Sequence, residues 1–223
     1  MSHTIQRPSE VTPEVPYPLA KQLFDRGVAA LLIVVLSPLL LLALAVLAVD
    51  MLLVPGDRGR WLYRERRISR GREFNVLKFR VLREDVLAEI AKRDDTYARL
   101  YEKDHDNLTR AGRIVKRIYG DELPQLFNVL RGDISLVGPR PWPATMVDDQ
   151  VARGHDYRLR VIAGWTGPAQ VRKDSHAKSQ ATSLDLEYVQ LCRSLPGTQL
   201  LRHDLRVLRQ SLLTMMRARG LRF

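Results

Sequence analysis

Cysteine is almost missing from this sequence: Cys192 is the single example in 223 residues. One thiol excludes an internal disulfide framework and any cysteine-cluster metal site, and a reducing compartment fits. Lysine is scarce as well, occurring only at 21, 78, 92, 103, 116, 173 and 178 among 36 Lys+Arg. There is no short-period self-similarity and no long low-complexity tract, which excludes collagenous and repeat architectures. A phosphate-loop lysine motif is absent, as is a clear glycine-rich dinucleotide fingerprint, which argues against nucleotide hydrolysis and redox chemistry. His105, His155, His176 and His203 are scattered without ligand spacing, so no zinc site is expected.

What is present is arginine. The formal net charge is +11 and the sequence pI about 10.2. Arginine's planar fork grips phosphate with two donors at once, so the composition points to phosphate-bearing partners. Nucleic acid, an anionic membrane face and a phosphorylated substrate all qualify. No helix-turn-helix, zinc-finger or RNA-recognition pattern is seen, and nucleic acid is not expected. With 45% hydrophobic and 27% charged residues the chain is globular, and its length suits one domain or one domain with an appendage.

Gly27–Val49 contains no charged residue. As a straight helix it would rise about 34 Å, enough to span the hydrocarbon. Ser37-Pro38 interrupts it at the centre. Proline removes a backbone donor and crowds the preceding turn, so a kink is expected, leaving arms of roughly 10 residues. The serine hydroxyl can satisfy the carbonyl freed by that break. Both flanks are basic: Lys21 and Arg26 before, then Arg58, Arg60, Arg64, Arg66, Arg67 and Arg70. Both ends therefore prefer the cytoplasm, and a hairpin that dips in and returns satisfies both. Spanning helices also carry prolines, so these features put re-entrance only slightly ahead.

The chain divides into an irregular lead-in (1–20), a membrane hairpin (21–53) and a cytosolic domain (54–223). The expected fold is α/β and helix-rich, with short strands at Trp61–Tyr63 and Phe74–Phe79 around a turn at Ser69–Gly71. Residues 84–103 read as a charged surface helix. Leu108–Tyr119 reads as a helix with Ile114 and Val115 inward. Asp121 opens the next helix, a favoured cap position, and a strand at Ile134–Val137 leads to Gly138-Pro139-Arg140-Pro141. Near the end Leu201, Leu205, Leu208, Leu212 and Met215 recur at helical spacing beside Arg202, Arg206, Arg209, Arg217 and Arg219. That stripe can pack on a core or lie among lipid headgroups.

The run from Asp121 to Pro141, DELPQLFNVLRGDISLVGPRP, resembles the signature of the bacterial sugar transferases. These are the monotopic polyprenyl-phosphate phosphoglycosyl transferases that start membrane-bound glycan assembly. Supporting matches follow in family order: Ser37-Pro38, Lys78-Phe79-Arg80, Gly164-Trp165-Thr166-Gly167, Ala169-Gln170-Val171 and Leu184–Val189. A lone Asp-Glu or Gly-Pro-Arg-Pro would be weak, whereas a block of this length with ordered flanks is specific.

The resemblance implies that Asp121 is a nucleophile attacking the β-phosphate of a UDP-sugar. UMP leaves, and a polyprenyl phosphate then takes the phosphosugar. It implies magnesium, held by Glu122 and Asp121, and phosphate or substrate binding by Lys78, Arg80, Arg140 and Asp185. Read alone, Asp185 could equally be a helix N-cap. It also implies a bacterial inner membrane location on the cytoplasmic face, lipid contact and room for a homo-oligomer, with no space for an extra multi-span N-terminal region. An aspartate at a helix N-terminus would be kept ionised by the dipole and free amides. The chain departs from the family pattern in three places. Ile162-Ala163 replaces Arg-Pro, Arg172-Lys173-Asp174 replaces Asn-Gly-Arg, and Tyr119 and Lys116 stand where Ser or Thr and Arg are common. A catalytically silent membrane-surface protein of the same fold is the alternative these changes motivate.

Overall fold

Two 17-residue helices, α1 (Leu19–Val35) and α2 (Ser37–Leu53), meet at a bend of 59°. Pro38 has no amide hydrogen for the carbonyl of Val34, four residues back, and Ser37 Oγ donates to that carbonyl instead, at 2.7 Å. The break falls where expected, but the arms are longer than ten residues because α1 begins at Leu19, inside the supposed lead-in. Among the described residues no single helix is long and apolar enough to cross a membrane, whereas this bent pair is, by length and composition.

The structure, a computed structural model, describes residues 14–92, 98–172 and 177–216. The elements after α2 are β1 (Leu62–Ser69), β2 (Arg72–Phe79), α3 (Glu84–Lys92), α4 (Arg110–Arg117), α5 (Gln125–Arg131) and β3 (Ser135–Val137). They are followed by α6 (Ala144–Ala152), β4 (Gly164–Thr166), α7 (Pro168–Val171), α8 (Ala177–Ser194) and α9 (Gly197–Met216). The result is helix-rich α/β with two two-stranded sheets, β1–β2 and the parallel pair β3–β4, in which Ser135 faces Gly164 and Val137 faces Thr166. β1 and β2 run further than the sequence suggests and turn through Arg70 and Gly71, both at positive φ, the geometry of a tight hairpin.

Two compact units share the chain. The first takes the described parts of Met1–Ala29, Arg66–Phe74 and Val129–Arg222. Its core gathers Val129, Ile134, Leu136, Val137, Tyr157, Tyr188 and Leu200. A buried polar network crosses that core. Lys21 Nζ pairs with Asp204 and lies 3.6 Å from Asp25, and Asp25 accepts from Tyr17 (2.8 Å) and Ser135 (2.6 Å). Lys21 is thus not a basic flank facing lipid headgroups; it anchors the start of α1. The network also rotates α9. Because Asp204 must meet Lys21, the buried face is Leu200, Asp204 and Val207, and Leu205 and Leu212 of the apolar stripe, which could have packed on a core or lain among headgroups, are exposed. Arg217 and Arg219, also named with that stripe, lie outside the described residues.

The second unit takes Ala30–Glu65 and Asn75–Asn128. α2, α4 and the open end of the hairpin pack through Ala43, Leu47, Phe79, Ala111 and Val115. Three side chains cap the first three amides of α4. Asp57 accepts from Arg110 (3.0 Å), Asp50 from Ala111 (3.0 Å) and Thr109 from Gly112 (2.8 Å). Asp50 closes the apolar α2, so the cap ties the hairpin to the helix that leads to Asp121. Val115 faces inward as expected; Ile114 does not, being 58% exposed. Ala111 and Val115, four apart, already fill the inward face of this short helix. Of 84–103, α3 and a 3₁₀ segment at Ala98–Lys103 are helical, and 93–97 lie outside the described residues.

Candidate active site

Asp121 sits in a 3₁₀ turn, Gly120–Glu122, directly after α4, and the helix that follows starts only at Gln125. It is therefore not the N-cap of that helix, and the dipole argument for keeping it ionised does not apply. The side chain is 6% exposed. Burial, with the neighbouring charge of Glu122, pushes its carboxyl up to about 7, while Lys78 and Lys116 pull the other way.

The lysines are themselves held. Lys78, on β2, lies 3.7 Å from Glu65 on β1. Lys116, on α4, donates to the Glu102 carbonyl at 2.7 Å and lies 3.1 Å from its carboxylate. Asn128 of the signature run is buried, accepts from the Leu77 amide (2.9 Å) and donates to the Asn75 carbonyl (2.8 Å). It fixes α5 against the strand that carries Lys78. Glu65, Glu102 and Asn128 were not singled out from the sequence, and Lys116 only as a departure. Their signal is long-range pairing, invisible to local pattern.

Arg80, expected to bind phosphate or substrate, is held inside the fold. Its guanidinium is buried and donates to the carbonyls of Arg60 (2.7 Å), Leu82 (2.8 Å) and Asp57. Each of its three nitrogens bonds a backbone carbonyl, so these contacts support structure. Asp185 is different again: it lies mid-helix in α8, not at an N-cap, and is 1% exposed. Arg158 Nη2 donates to it at 2.6 Å and Tyr157 Oη at 3.0 Å. Burial raises its pKa, opposed by Arg158. Arg158 also donates to Gln150 (2.9 Å) and to the carbonyl of Arg140, and its fork lies 3.9 Å over Trp142. The Pro-Arg-Pro turn is thus gripped from below by Arg158, which Asp185 orients. Gly138 and Pro139 bond to Thr166 and Gly164 on β4, holding the other side of the turn.

A profile of the family described as bacterial sugar transferase matches residues 16–218. The chain belongs to this family. A UDP-glucose:undecaprenyl-phosphate glucose-1-phosphate transferase of Caulobacter vibrioides is 36% identical over 193 residues, covering 82% of this chain and 67% of that protein. The exopolysaccharide production protein ExoY of Sinorhizobium fredii is 32% identical over 77% of each chain. An undecaprenyl-phosphate galactose phosphotransferase of Salmonella typhimurium is 35% identical over 68% of this chain, which spans only 32% of its length.

Within this bacterial sugar transferase the departures at 162–163 have a structural counterpart. The Ala163 amide donates to Ser69 Oγ at 3.1 Å, a bond that a proline there could not make. Of the arginines that could replace the missing one, Arg158 is buried and bonds Gln150, Arg140 and Asp185, and Arg160 pairs with Asp156, whereas Arg172 is exposed. Among the described residues no group of three or more acidic, histidine or cysteine side chains is arranged to hold a metal. Asp121 and Glu122 still fit magnesium, which binds through one or two carboxylates and completes its shell with phosphates and water.

Proposed function

We propose that this bacterial sugar transferase moves a sugar phosphate from a UDP-sugar to a polyprenyl phosphate through an ester on Asp121. The observation that carries the reading is the Asp121 carboxyl secluded from water in the turn after α4, where burial and Glu122 push its pKa up and Lys78 and Lys116 oppose them. A carboxylate oxygen attacks the β-phosphorus, the bond to the α-phosphate oxygen breaks, and UMP leaves with the electron pair. A phosphate oxygen of the polyprenyl phosphate then attacks the same phosphorus and displaces Asp121, giving the polyprenyl-diphosphate-sugar. Magnesium, held by Glu122 and Asp121, would neutralise diphosphate charge. Lys78 and Lys116 favour the ionised nucleophile, and Arg140 binds phosphate from the turn that Arg158 holds.

The bent α1–α2 pair is read as a re-entrant hairpin on the cytoplasmic face of the bacterial inner membrane. Leu31, Val34, Val35, Leu41, Leu42, Leu52 and Leu53 are exposed along it, a surface suited to lipid. A chain so anchored meets a long isoprenoid at headgroup depth.

The test is UMP release across a panel of UDP-sugars with magnesium and a native polyprenyl phosphate, with mass analysis of Asp121. A phosphosugar adduct is expected, and Asp121→Asn abolishes it. Full turnover by Asp121→Asn overturns the mechanism. No UMP from any donor favours the catalytically silent alternative.

A further inference from the structure

α7 packs on both α8 and α9, and between the three helices lies a cavity of about 170 Å³. Its lining comes wholly from the first unit, and none of it belongs to the Asp121 turn, to β2 or to the Pro-Arg-Pro turn. The volume lies below the ~300 Å³ at which sites for drug-sized ligands begin, so it suits a compact group. The buried part of the wall is apolar, with Leu184 and Tyr188 from α8 and Val207 from α9. Beside Val207, at helical spacing i, i+3 and i+7, stand His203, Arg206 and Gln210. A seam between packed helices is ordinarily closed by apolar side chains. Here that spacing carries polar ones, and the space stays open.

Arg172, the residue directly after α7, brings a second guanidinium to the same cavity. Two like charges directed at one small space repel unless an opposite charge stands between them. Glu187 also lines the cavity, yet among the described residues neither Arg172 nor Arg206 forms an ion pair with it or with another carboxylate. Both arginines are exposed, so their donors remain open to a ligand. His203 completes the wall. Its Nδ1 is buried, 3.8 Å from Asp204, so the exposed part of the ring is the opposite edge, which carries Nε2.

We propose that this cavity binds a phosphate group, free or on a lipid headgroup, between Arg172 and Arg206, with His203 donating from Nε2. Two planar forks from different elements match an anion that offers several acceptor oxygens, and the anion removes their mutual repulsion. The site does not depend on the aspartyl mechanism.

The experiment measures melting of the full chain in two media. One is detergent with EDTA, in phosphate against chloride at equal ionic strength; the other is nanodiscs of phosphatidylcholine with and without phosphatidylglycerol. Wild type is compared with the double variant Arg172→Gln, Arg206→Gln and with Arg202→Gln, an exposed α9 arginine outside the cavity. Wild type is expected to melt higher in phosphate or in the phosphatidylglycerol discs. The double variant is expected to melt no lower than wild type in chloride and to lose that rise, binding phosphate about tenfold or more weakly, while Arg202→Gln keeps it. A rise in phosphate assigns the site to a free anion, and a rise confined to phosphatidylglycerol assigns it to a headgroup; either sustains the site. No rise in either medium overturns the proposal, as does a rise that the double variant keeps or that Arg202→Gln loses equally. A double variant that melts lower in chloride also overturns it, because the arginines then serve packing.

Discussion

Arg158 Nη2 lies 2.6 Å from Asp185 Oδ2, both buried, and the same guanidinium holds the carbonyl of Arg140. Removing one partner leaves an uncompensated charge, at a cost of about 3–5 kcal/mol. Asp185→Ala should therefore unfold in urea at a much lower midpoint. Replacing both, as Asp185→Leu with Arg158→Met, should recover most of that stability, since apolar pairs substitute well for buried ions. The double variant still lacks the grip on the Pro-Arg-Pro turn, so its UMP release stays low while its stability returns. Recovery of both together would mean that Arg158 does nothing beyond packing.

The carboxyl of Asp121 gives stability a defined pH slope. Its folded pKa, about 7, stands above the unfolded 3.8, so the folded chain holds that proton more tightly. The stabilisation is complete below the unfolded value and is lost as pH rises through about 7. Metal-free protein should melt lower at pH 8 than at pH 5.5, measured by calorimetry in EDTA. Asp121→Asn carries no charge at either pH and should flatten the slope. At pH 8 it should be more stable than wild type by at least ~1 kcal/mol, or ~2–4 °C in a chain of this size. An Asn variant less stable than wild type at pH 8 contradicts the burial argument.

Arg80 separates binding from support. Arg80→Met strands the three carbonyls of Arg60, Leu82 and Asp57, each costing about 1–3 kcal/mol when buried without a donor. The variant should express poorly and melt many degrees lower, yet the folded fraction should show an unchanged KM for the UDP-sugar. A raised KM without loss of stability would restore the phosphate contact implied by the family pattern.

Local pattern carried some of this fold and missed the rest for identifiable reasons. The Ser37-Pro38 break, the Arg70-Gly71 turn and β3 were legible because proline chemistry, turn residues and apolar runs act over a few residues. The buried face of α9 was not, because Asp204 turns inward to meet Lys21, 183 residues away in sequence. Asp121, Glu122 and Lys78 are legible as motif positions, but the other two charges of that cluster, Glu102 and Lys116, sit in segments that look like solvated helix. The motif positions Arg80 and Asp185 carry no local sign that one is held by backbone carbonyls and the other by Arg158, because both partnerships depend on distant packing.

Cys192 makes a topology measurement simpler than the composition suggests. Its thiol is buried and burial pushes its pKa up to about 11, against an ordinary 9.0, with the Asp204 charge adding to the shift. At pH 8 that leaves about a hundredfold less thiolate than an exposed cysteine carries, before any steric barrier. Native protein should therefore resist a maleimide over minutes, and protein in urea should react at once, measured by intact mass. Cysteines placed in turn at Arg26 and at Arg58, one on each flank of the bent pair, can then be labelled with little background from Cys192. A re-entrant hairpin predicts that an impermeant reagent reaches both sites from the cytoplasmic side of inverted vesicles. A spanning helix predicts that one of the two stays protected until the bilayer is dissolved.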